Sequence, residues 1–391
     1  MDSATATVHG ECAPGFEPVR EAFEENFRSR GELGAAFTAT RHGEVVVDLW
    51  GGWTGPARDA AWQPDTLANV WSTTKGMTAL CAHRLADAGE LDIDAPVAKY
   101  WPEFAAAGKA EVPVRWLLSH RSGVPGIGID RPVRIDELYD WDLMTSLLAA
   151  QEPLCEPGSA GGYHALAYGW LVGEVVRRIA GQGIREFFAE QVAVPLGADF
   201  SIGLADDADL SRCATLVDPV MTEEVANALA AAFASAGPVA QAALANPRLS
   251  GHDANEPAFR RAVMPALNGH GTARAIATIY GALATGGLLS APALARARES
   301  QGKEIDAVLG LPNEWGLGFY LGSDARGFGP NPSAFGHDGL GGSTGGADPE
   351  NGISFGYTLN QLGPLIRDDP RKMALVNAVY ESLGLVSVQE G

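Results

Sequence analysis

Residues 70–81, VWSTTKGMTALC, place a serine hydroxyl and a lysine amine three positions apart at the start of an apolar-periodic run. On a helix this spacing puts Ser72 and Lys75 on one face. Apolar residues recur at helical intervals through 77–85 and predict a buried opposite face, and Gly89 predicts the helix end. The stretch therefore predicts a helix with Ser72 in its first turn and Lys75 above it.

The pairing of these two side chains has a chemical use. A serine hydroxyl becomes a nucleophile when a neighbouring group takes its proton, and a lysine with a lowered pKa can do so. The helix N-terminus adds a partial positive charge and free amides beside the reacting atom. Taken alone, a motif of this kind is more often a helix cap beside a solvated lysine. Residues elsewhere in the chain must decide between the two interpretations.

Composition limits the class of protein and its partners. The chain has 391 residues, of which 46% are hydrophobic and 19% charged, as in ordinary globular proteins of one or two domains. Its 28 basic and 48 acidic residues give a formal net charge of −20. This charge argues against binding to nucleic acid or to an anionic membrane.

The cysteines and the N-terminal residues predict an intracellular setting. Cys12, Cys81, Cys155 and Cys213 are scattered without a CxxC pair, which predicts reduced, buried thiols. The first residues show no basic segment followed by an apolar core, and no run approaches the roughly 18 apolar residues that span a bilayer. We therefore expect a soluble cytoplasmic protein.

Periodicity and turn signals predict strands near both ends of the chain and helices between them. The predicted helices cover 17–30, 114–118, 135–150, 166–179, 184–197, two segments within 222–245, a segment capped by Thr272, and 371–383. The predicted strands cover 34–41, 44–51, 315–321, 334–337 and 352–360. This order predicts a single sheet built from the two termini.

Two further stretches carry the groups that a serine nucleophile requires. Residues 156–165, EPGSAGGYHA, form a glycine-rich loop that presents Tyr163 just before a predicted helix. Residues 335–343, FGHDGLGGS, end a predicted strand in glycines that permit close backbone approach. These stretches supply candidates for a proton relay and for backbone amides that hold an oxyanion.

In order along the chain, Ser72-x-x-Lys75, Tyr163 and residues 337–339, HDG, resemble the three elements of the serine β-lactamase and penicillin-binding-protein superfamily. Residues 116–123 and 268–274 resemble connecting signatures of its class C branch. The resemblance implies an α+β, β-lactamase/transpeptidase-like fold, with an antiparallel sheet flanked by helices and a mostly helical inserted domain. It assigns 1–85 and 265–391 to the first domain and 86–264 to the second, with the active site at their junction.

Three departures make the chain most similar to the family VIII carboxylesterases of that superfamily. His337 stands where β-lactamases and peptidases carry a lysine that binds a substrate carboxylate. The usual Tyr-x-Asn is Tyr163-His164-Ala165, which lacks the side-chain amide. The chain also shows no export signal, whereas β-lactamases and peptidoglycan enzymes work outside the cytoplasm.

The resemblance implies roles for individual residues in ester hydrolysis. Ser72 would attack the carbonyl, and Lys75 and Tyr163 would act as base and proton relay, although the sequence does not say which of the two is the base. The implied oxyanion and substrate-binding positions are Ser72, Leu340, His337 and Gly339. The predicted partner is a small-molecule ester, with neither nucleic acid nor membrane bound. No cofactor is predicted, and His252, Asp253 and His270 have no partners at metal-ligand spacing.

Alternatives remain at this point. The same scaffold fits a class C-type β-lactamase, a D-aminopeptidase or amidase, or an acyltransferase. An esterase on this scaffold can also carry a weak β-lactamase side activity. Residues 341–345, GGSTG, fit the nucleophile elbow of an α/β-hydrolase with Ser343 as nucleophile. A catalytically inactive binding protein is a further alternative. We expect the pocket walls to come from 126–142 and 205–255, and Trp50, Trp53 and Trp141 either to pack or to line an acyl pocket.

Overall fold

The computed structural model of the protein describes residues 6–159, 161–322 and 326–385. In chain order its strands are β1 (Val8–Cys12), β2 (Gly34–Arg41), β3 (Glu44–Gly52), β4 (Ala68–Asn69), β5 (Phe200–Ile202), β6 (Gly269–Gly271), β7 (Lys303–Ile305), β8 (Pro312–Glu314), β9 (Tyr320–Leu321), β10 (Phe335–Asp338), β11 (Thr344–Asp348) and β12 (Ile353–Leu359). Its α-helices are α1 (Glu17–Ser29), α2 (Thr74–Asp87), α3 (Val114–Leu118), α4 (Trp141–Ala150), α5 (Ala167–Ala180), α6 (Ile184–Phe188), α7 (Val194–Leu196), α8 (Glu223–Ser235), α9 (Pro238–Leu244), α10 (Gly251–Asn255), α11 (Pro257–Arg261), α12 (Ala273–Ala284), α13 (Ala291–Ala297) and α14 (Pro370–Ser382).

Strands from both ends of the chain form one antiparallel sheet of seven strands. Their order is β1-β3-β2-β12-β11-β10-β9, so the predicted N-terminal hairpin of β2 and β3 joins the C-terminal strands where β2 pairs with β12. Phe37 lies opposite Tyr357 in this pairing. The prediction of an α+β fold with an antiparallel sheet from the two termini is confirmed.

Helices cover both faces of this sheet. Side chains alternate across β12, so Ser354 lies toward α12, where its hydroxyl donates to the Ala277 carbonyl, while Tyr357 on the opposite face contacts Glu32. On that opposite face α1 packs against α14. Because both faces are covered, β12 is buried along its whole length, including Ser354 and Thr358 on the face toward α12.

Helix α2 lies between the sheet and the helical part of the chain. It contacts α5 and α6 on one side and β10 on the other, and 11 of its residues are buried. The predicted helix is therefore correct, but it is buried on all sides rather than on one face. Its start also differs from the prediction, because α2 begins at Thr74 and Ser72 lies in the turn just before it.

Between α2 and β6 nearly all of the described regular structure is helical, apart from β5. The predicted helix over 166–179 ends close to its predicted limit, since Gly181 caps α5 with φ of +69°, and Gly237 separates the two helices predicted within 222–245. The mostly helical insertion is as expected from the resemblance. The domain limits after residues 85 and 264 stay predictions.

In the C-terminal third the sequence signals missed α13, β7, β8 and β11 and made one strand too long. β11 was not predicted, since its sequence TGGAD has low strand propensity, and it exists because β10 and β12 pair with it on either side. The predicted strand over 315–321 is shorter: only β9 remains, after a turn in which Gly318 has φ of +95°. In the part of the chain described, none of the helices combines the length and the apolar character that crossing a bilayer requires.

Candidate active site

The turn that carries Ser72 has a strained backbone. Trp71 has φ of +43°, a left-handed conformation that bulky residues rarely adopt. Its amide donates to the Asn69 side chain at 2.9 Å, and its carbonyl accepts from the Thr74 hydroxyl. Strain of this kind persists only where surrounding contacts enforce it, and it is typical of functional sites. Ser72 follows directly, half-buried at the wall of a cavity.

Lys75 is completely buried beside Ser72. Its Nζ lies 3.0 Å from Ser72 Oγ, 2.8 Å from the Ala165 carbonyl oxygen and 2.9 Å from the Ala266 carbonyl oxygen. None of the carboxylates in the described residues forms an ion pair with this amine. A neutral amine has two N–H groups and one lone pair, so the two carbonyls can take the protons while the lone pair faces the serine hydroxyl.

Burial shifts the pKa values of the two titratable groups beside Ser72 in opposite directions. It lowers the pKa of the Lys75 amine well below its ordinary value of 10.5. It raises the pKa of the Tyr163 phenol, and a hydrogen bond with Ser72 offsets only part of this rise. Lys75 Nζ lies 4.8 Å from the centre of the Tyr163 ring. Both shifts favour the uncharged forms, an amine beside a phenol.

Backbone and ring contacts fix Tyr163 in place. Its amide donates to Asp306 Oδ1 at 3.1 Å, and its ring stacks on Trp315 with 5.9 Å between ring centres. The His120 ring packs 5.0 Å from it, and His120 Nδ1 accepts the amide of His164, the next residue along the chain. His120 thus helps to hold the tyrosine loop.

The third sequence element packs directly against the serine turn. A Cβ at Gly339 would lie 2.2 Å from the Val70 carbonyl oxygen, so only glycine allows this approach. Ser343 Oγ donates to the same Val70 carbonyl at 2.8 Å and lies 3.2 Å from Thr73 Oγ1. These contacts bring residues 338–343 beside Ser72.

His337 lies at the back of the site as a neutral imidazole. Burial lowers its pKa to about 3. Its Nδ1 donates to the Asp338 carbonyl at 2.7 Å, which leaves Nε2 as an acceptor. This buried Nε2 has no hydrogen-bond partner within the described residues, and the ring lies among the aromatic rings of Tyr163, Trp315 and Tyr320.

Two backbone amides beside the serine are unused. Within the described residues neither the Ser72 amide nor the Leu340 amide donates a hydrogen bond, although their neighbours Thr73 and Gly339 do. Both residues line the same cavity. Such amides can donate hydrogen bonds to a reacting carbonyl oxygen and stabilise the negative charge that develops on it.

An apolar cavity of about 110 Å³ opens beside Ser72. Its aliphatic wall comes from Leu166, Leu244, Leu249, Leu267, Leu309 and Ile366. Among the described residues that line it, Asp338 is the only charged one, and its carboxylate is paired with Lys372 at 2.8 Å. The predicted contribution of 205–255 includes Leu244 and Leu249, whereas none of the lining residues comes from 126–142.

Several other residues singled out from the sequence lie outside this arrangement. Ser343 is buried in the turn before β11, and a strand rather than a helix follows it, unlike a nucleophile elbow. Trp50, Trp53 and Trp141 do not line the cavity, and Trp141 Nε1 donates to Glu174. The four cysteines are unpaired, and two of them, Cys81 and Cys213, are buried. Metal-binding groups of three or more side chains were not found among the described residues.

Sequence reasoning missed the contacts that act through backbone atoms. The carbonyls of Ala165 and Ala266 hold Lys75, but an alanine carries no chemical signal in a sequence. Lys372 pairs with Asp338, but the sequence does not distinguish it from an exposed lysine of an amphipathic helix. Ser122 also fixes the tyrosine loop, since its Oγ bonds His164 Nε2 at 2.6 Å.

Comparison with known proteins gives consistent similarities. Residues 19–378 match the sequence model of the family described as Beta-lactamase. The esterase/beta-lactamase LipL of Mycobacterium tuberculosis is 36% identical over 378 aligned residues, which cover 93% of this chain and 85% of that protein. A crystal structure of a family VIII carboxylesterase is 43% identical, with a TM-score of 0.88 over 96% of this chain and 100% of its own. A penicillin-binding protein homologue from Caulobacter crescentus is 39% identical, with the same TM-score and coverage.

Proposed function

The chain belongs to the beta-lactamase family, and from this premise we propose that it is a serine carboxylesterase that works through an acyl-enzyme on Ser72. One observation carries the proposal. The completely buried amine of Lys75 lies 3.0 Å from Ser72 Oγ, at the wall of an apolar cavity. A serine beside a neutral amine is an activated nucleophile, and the cavity suits an uncharged, apolar acyl or alcohol group.

Lys75 is the base in this proposal. The low pKa that burial gives the amine supports a neutral lone pair directed at the Ser72 hydroxyl. Burial of Tyr163 opposes formation of a phenolate, which argues against the tyrosine as the first proton acceptor. Ser72 Oγ would thus transfer its proton to Lys75 as it attacks the ester carbonyl.

Tyr163 would complete the proton transfer. Its phenol lies beside both Ser72 and Lys75, so it can pass the proton from the amine to the leaving alkoxide as the ester bond breaks. Water then attacks the acyl carbonyl and gives one proton to the same pair, which passes it to Ser72 Oγ as the bond to the acyl group breaks, so that the carboxylic acid is released and the serine is restored. The Ser72 and Leu340 amides would hold the oxyanion in both steps.

The charge of the site supports esters over substrates that carry a carboxylate. The neutral imidazole of His337 replaces the cation that recognises such a group, and neither lysine nor arginine occurs among the described residues of the cavity wall. β-Lactam hydrolysis is the second candidate, since LipL is described as both an esterase and a beta-lactamase. We expect it as a weak side activity. The net charge of −20 also supports a small-molecule substrate over nucleic acid. A cytoplasmic location stays a prediction.

Intact-protein mass spectrometry tests the nucleophile. The protein is exposed separately to a fluorophosphonate and to a short-chain p-nitrophenyl ester, and wild type is compared with Ser72→Ala and Ser343→Ala. We expect one adduct in wild type and in Ser343→Ala, and none in Ser72→Ala. An adduct that persists in Ser72→Ala and maps to Ser343 would overturn the proposal, and failure of the wild type to react with either reagent would favour an inactive binding protein.

A further inference from the structure

The loop at 338–341 is held from outside the cavity by two adjacent cations of α14. We propose that Arg371 and Lys372 are positioning residues for ester hydrolysis, which fix the backbone around Leu340 so that its amide can stabilise the oxyanion. This inference rests on the proposed function. It concerns residues about 30 positions beyond the loop, near the start of a helix that does not itself line the cavity.

Lys372 holds the residue two positions before Leu340. Its side chain is 1% exposed, and Nζ lies 2.8 Å from each carboxylate oxygen of Asp338. The same carboxylate accepts the Thr344 hydroxyl at 2.7 Å. The backbone carbonyl of Asp338 accepts the His337 imidazole, so the residue is anchored through both its side chain and its main chain.

Arg371 holds the residue just after Leu340. One arm of its guanidinium donates to the Gly341 carbonyl at 2.9 Å, and the Gly341 backbone has φ of +83°. The remaining donors reach Asp369 at 2.8 and 2.9 Å, Glu32 at 3.2 Å and the Gln361 carbonyl at 2.8 Å. The planar, forked guanidinium suits this task because it can bond several fixed oxygens at once.

The two anchors leave the Leu340 amide between fixed neighbours. Gly339 adds a further restraint, since its amide donates to the Ser343 carbonyl at 2.7 Å and its carbonyl accepts the Gly342 amide at 3.1 Å. A buried ion pair often stabilises a protein less than apolar side chains of similar size would. Stability alone therefore does not explain why positions 371 and 372 carry buried charges. A donor that is already aligned before the reaction is what oxyanion stabilisation requires.

Lys372→Met tests the proposal by removing one anchor while keeping most of the side-chain volume. We expect kcat for a p-nitrophenyl ester to fall about 10- to 100-fold with KM changed less than about threefold, since a misplaced donor is felt mainly in the transition state. Affinity for phenylboronic acid, which forms a tetrahedral adduct on a serine, should fall by a similar factor. Lys372→Arg can still pair with Asp338 and should recover much of the loss.

Glu174→Gln is the matched control, because it neutralises an equally buried carboxylate that bonds Arg177 and Arg178 on α5, away from the cavity wall. It should lower the melting temperature and leave kcat within about twofold of wild type. Arg371→Lys provides a second test if Lys372→Met does not fold, since it keeps the charge and loses the fork that reaches Gly341.

The possible outcomes separate this inference from the proposed function. If Ser72 forms the acyl adduct but folded Lys372→Met or Arg371→Lys keeps wild-type kcat and boronate affinity, α14 has no positioning role and the esterase assignment stands. If Ser72 forms no adduct in wild type, both proposals fail together.

Discussion

The chemistry of Lys75 depends on its burial more than on its identity. An exposed lysine is protonated at neutral pH and cannot take a proton from serine. Here the amine is enclosed by Ser72 and by two backbone carbonyls, from Ala165 and Ala266, with desolvation as the cause of its lowered pKa. The carbonyls accept N–H groups without adding a negative charge that would favour the ammonium form. The lowered pKa therefore follows from burial among oxygens that carry no charge.

Replacement of Lys75 and Tyr163 should affect different substrates. Lys75→Met should lower the acylation rate about 10²- to 10⁴-fold for both a p-nitrophenyl ester and an ethyl ester of the same acid, because it removes the base. Tyr163→Phe should spare the p-nitrophenyl ester, whose leaving phenolate needs no proton, and should slow the ethyl ester by about 10²-fold or more. Stopped-flow acylation rates with both esters measure this difference.

Tyr139→Phe is a suitable control for the loss of a phenol, because Tyr139 is partly exposed and does not line the cavity. It should keep wild-type rates on both esters. Equal losses on the two esters in Tyr163→Phe would show that the tyrosine does not protonate the leaving group.

At the scale of elements, α12 approaches the sheet closely because the facing strands carry glycines. A Cβ at Gly356 of β12 would lie 2.4 Å from the Ala273 carbonyl oxygen, and one at Gly345 of β11 would lie 2.4 Å from the Tyr280 ring. These glycines face each other across the β11–β12 pairing. The helix can therefore pack directly against the strands. β11 in turn pairs with β10, which carries the start of the HDG element at 337–339.

Gly356→Ala should force α12 away from the sheet. We expect the free energy of unfolding to fall by about 1–3 kcal/mol, the usual cost of overpacking a buried contact. Urea denaturation followed by circular dichroism measures the change. Gly287→Ala is the control, since Gly287 is exposed and a Cβ there meets only ordinary contacts at 3.5 Å; it should leave stability unchanged or raise it by up to about 1 kcal/mol. Equal stability of the two variants would contradict the close-packing argument.

At the scale of the whole molecule, neutral histidines are distributed through the core. Burial lowers the pKa of each of these side chains, and they are His83, His120, His164, His270 and His337. The pKa is about 4 for His83 and His164 and about 3 for His270 and His337. In the unfolded chain the same groups titrate near 6.5. Unfolding in mild acid therefore takes up protons.

The free energy of unfolding should accordingly decrease as the pH falls below 6.5. The folded state binds fewer protons than the unfolded state between pH 6.5 and the lowered pKa values, so each histidine removes up to about 1.4 kcal/mol per pH unit in that interval. Stability from these groups is fully present above pH 6.5. Urea denaturation at a series of pH values from 7.5 to 4.5 measures the slope.

His83→Gln isolates one of these contributions. His83 Nε2 bonds the Leu317 carbonyl at 2.8 Å, and a glutamine amide can replace this donor without titrating. We expect the slope below pH 6 to decrease by up to about 1.4 kcal/mol per pH unit. His252→Gln, at an exposed position on α10, should leave the slope unchanged. A slope that His83→Gln does not alter would show that the acid sensitivity has another source.

The sequence by itself determined the elements whose signals are local. The 34–51 hairpin, the cap of α12 at Thr272 and the end of α5 close to residue 179 depend on neighbouring residues, and all three agree with the prediction. The order of the three motif stretches pointed to the family and, through it, to the antiparallel sheet. The sequence also shows that Ser72, Lys75 and Tyr163 are residue types suited to nucleophile, base and proton donor. These roles stay proposals until the labelling and kinetic experiments are done.

Only the tertiary structure decided how these residues are surrounded. Lys75 meets the carbonyls of Ala165 and Ala266, which lie 90 and 191 positions away along the chain. β11 forms because two strands pair with it, against its own propensity, and the pairing of Asp338 with Lys372 joins a loop to a distant helix. The physical reason is that desolvation, close approach and ion pairing depend on distances in space, whereas periodicity and turn signals report only on neighbours in sequence.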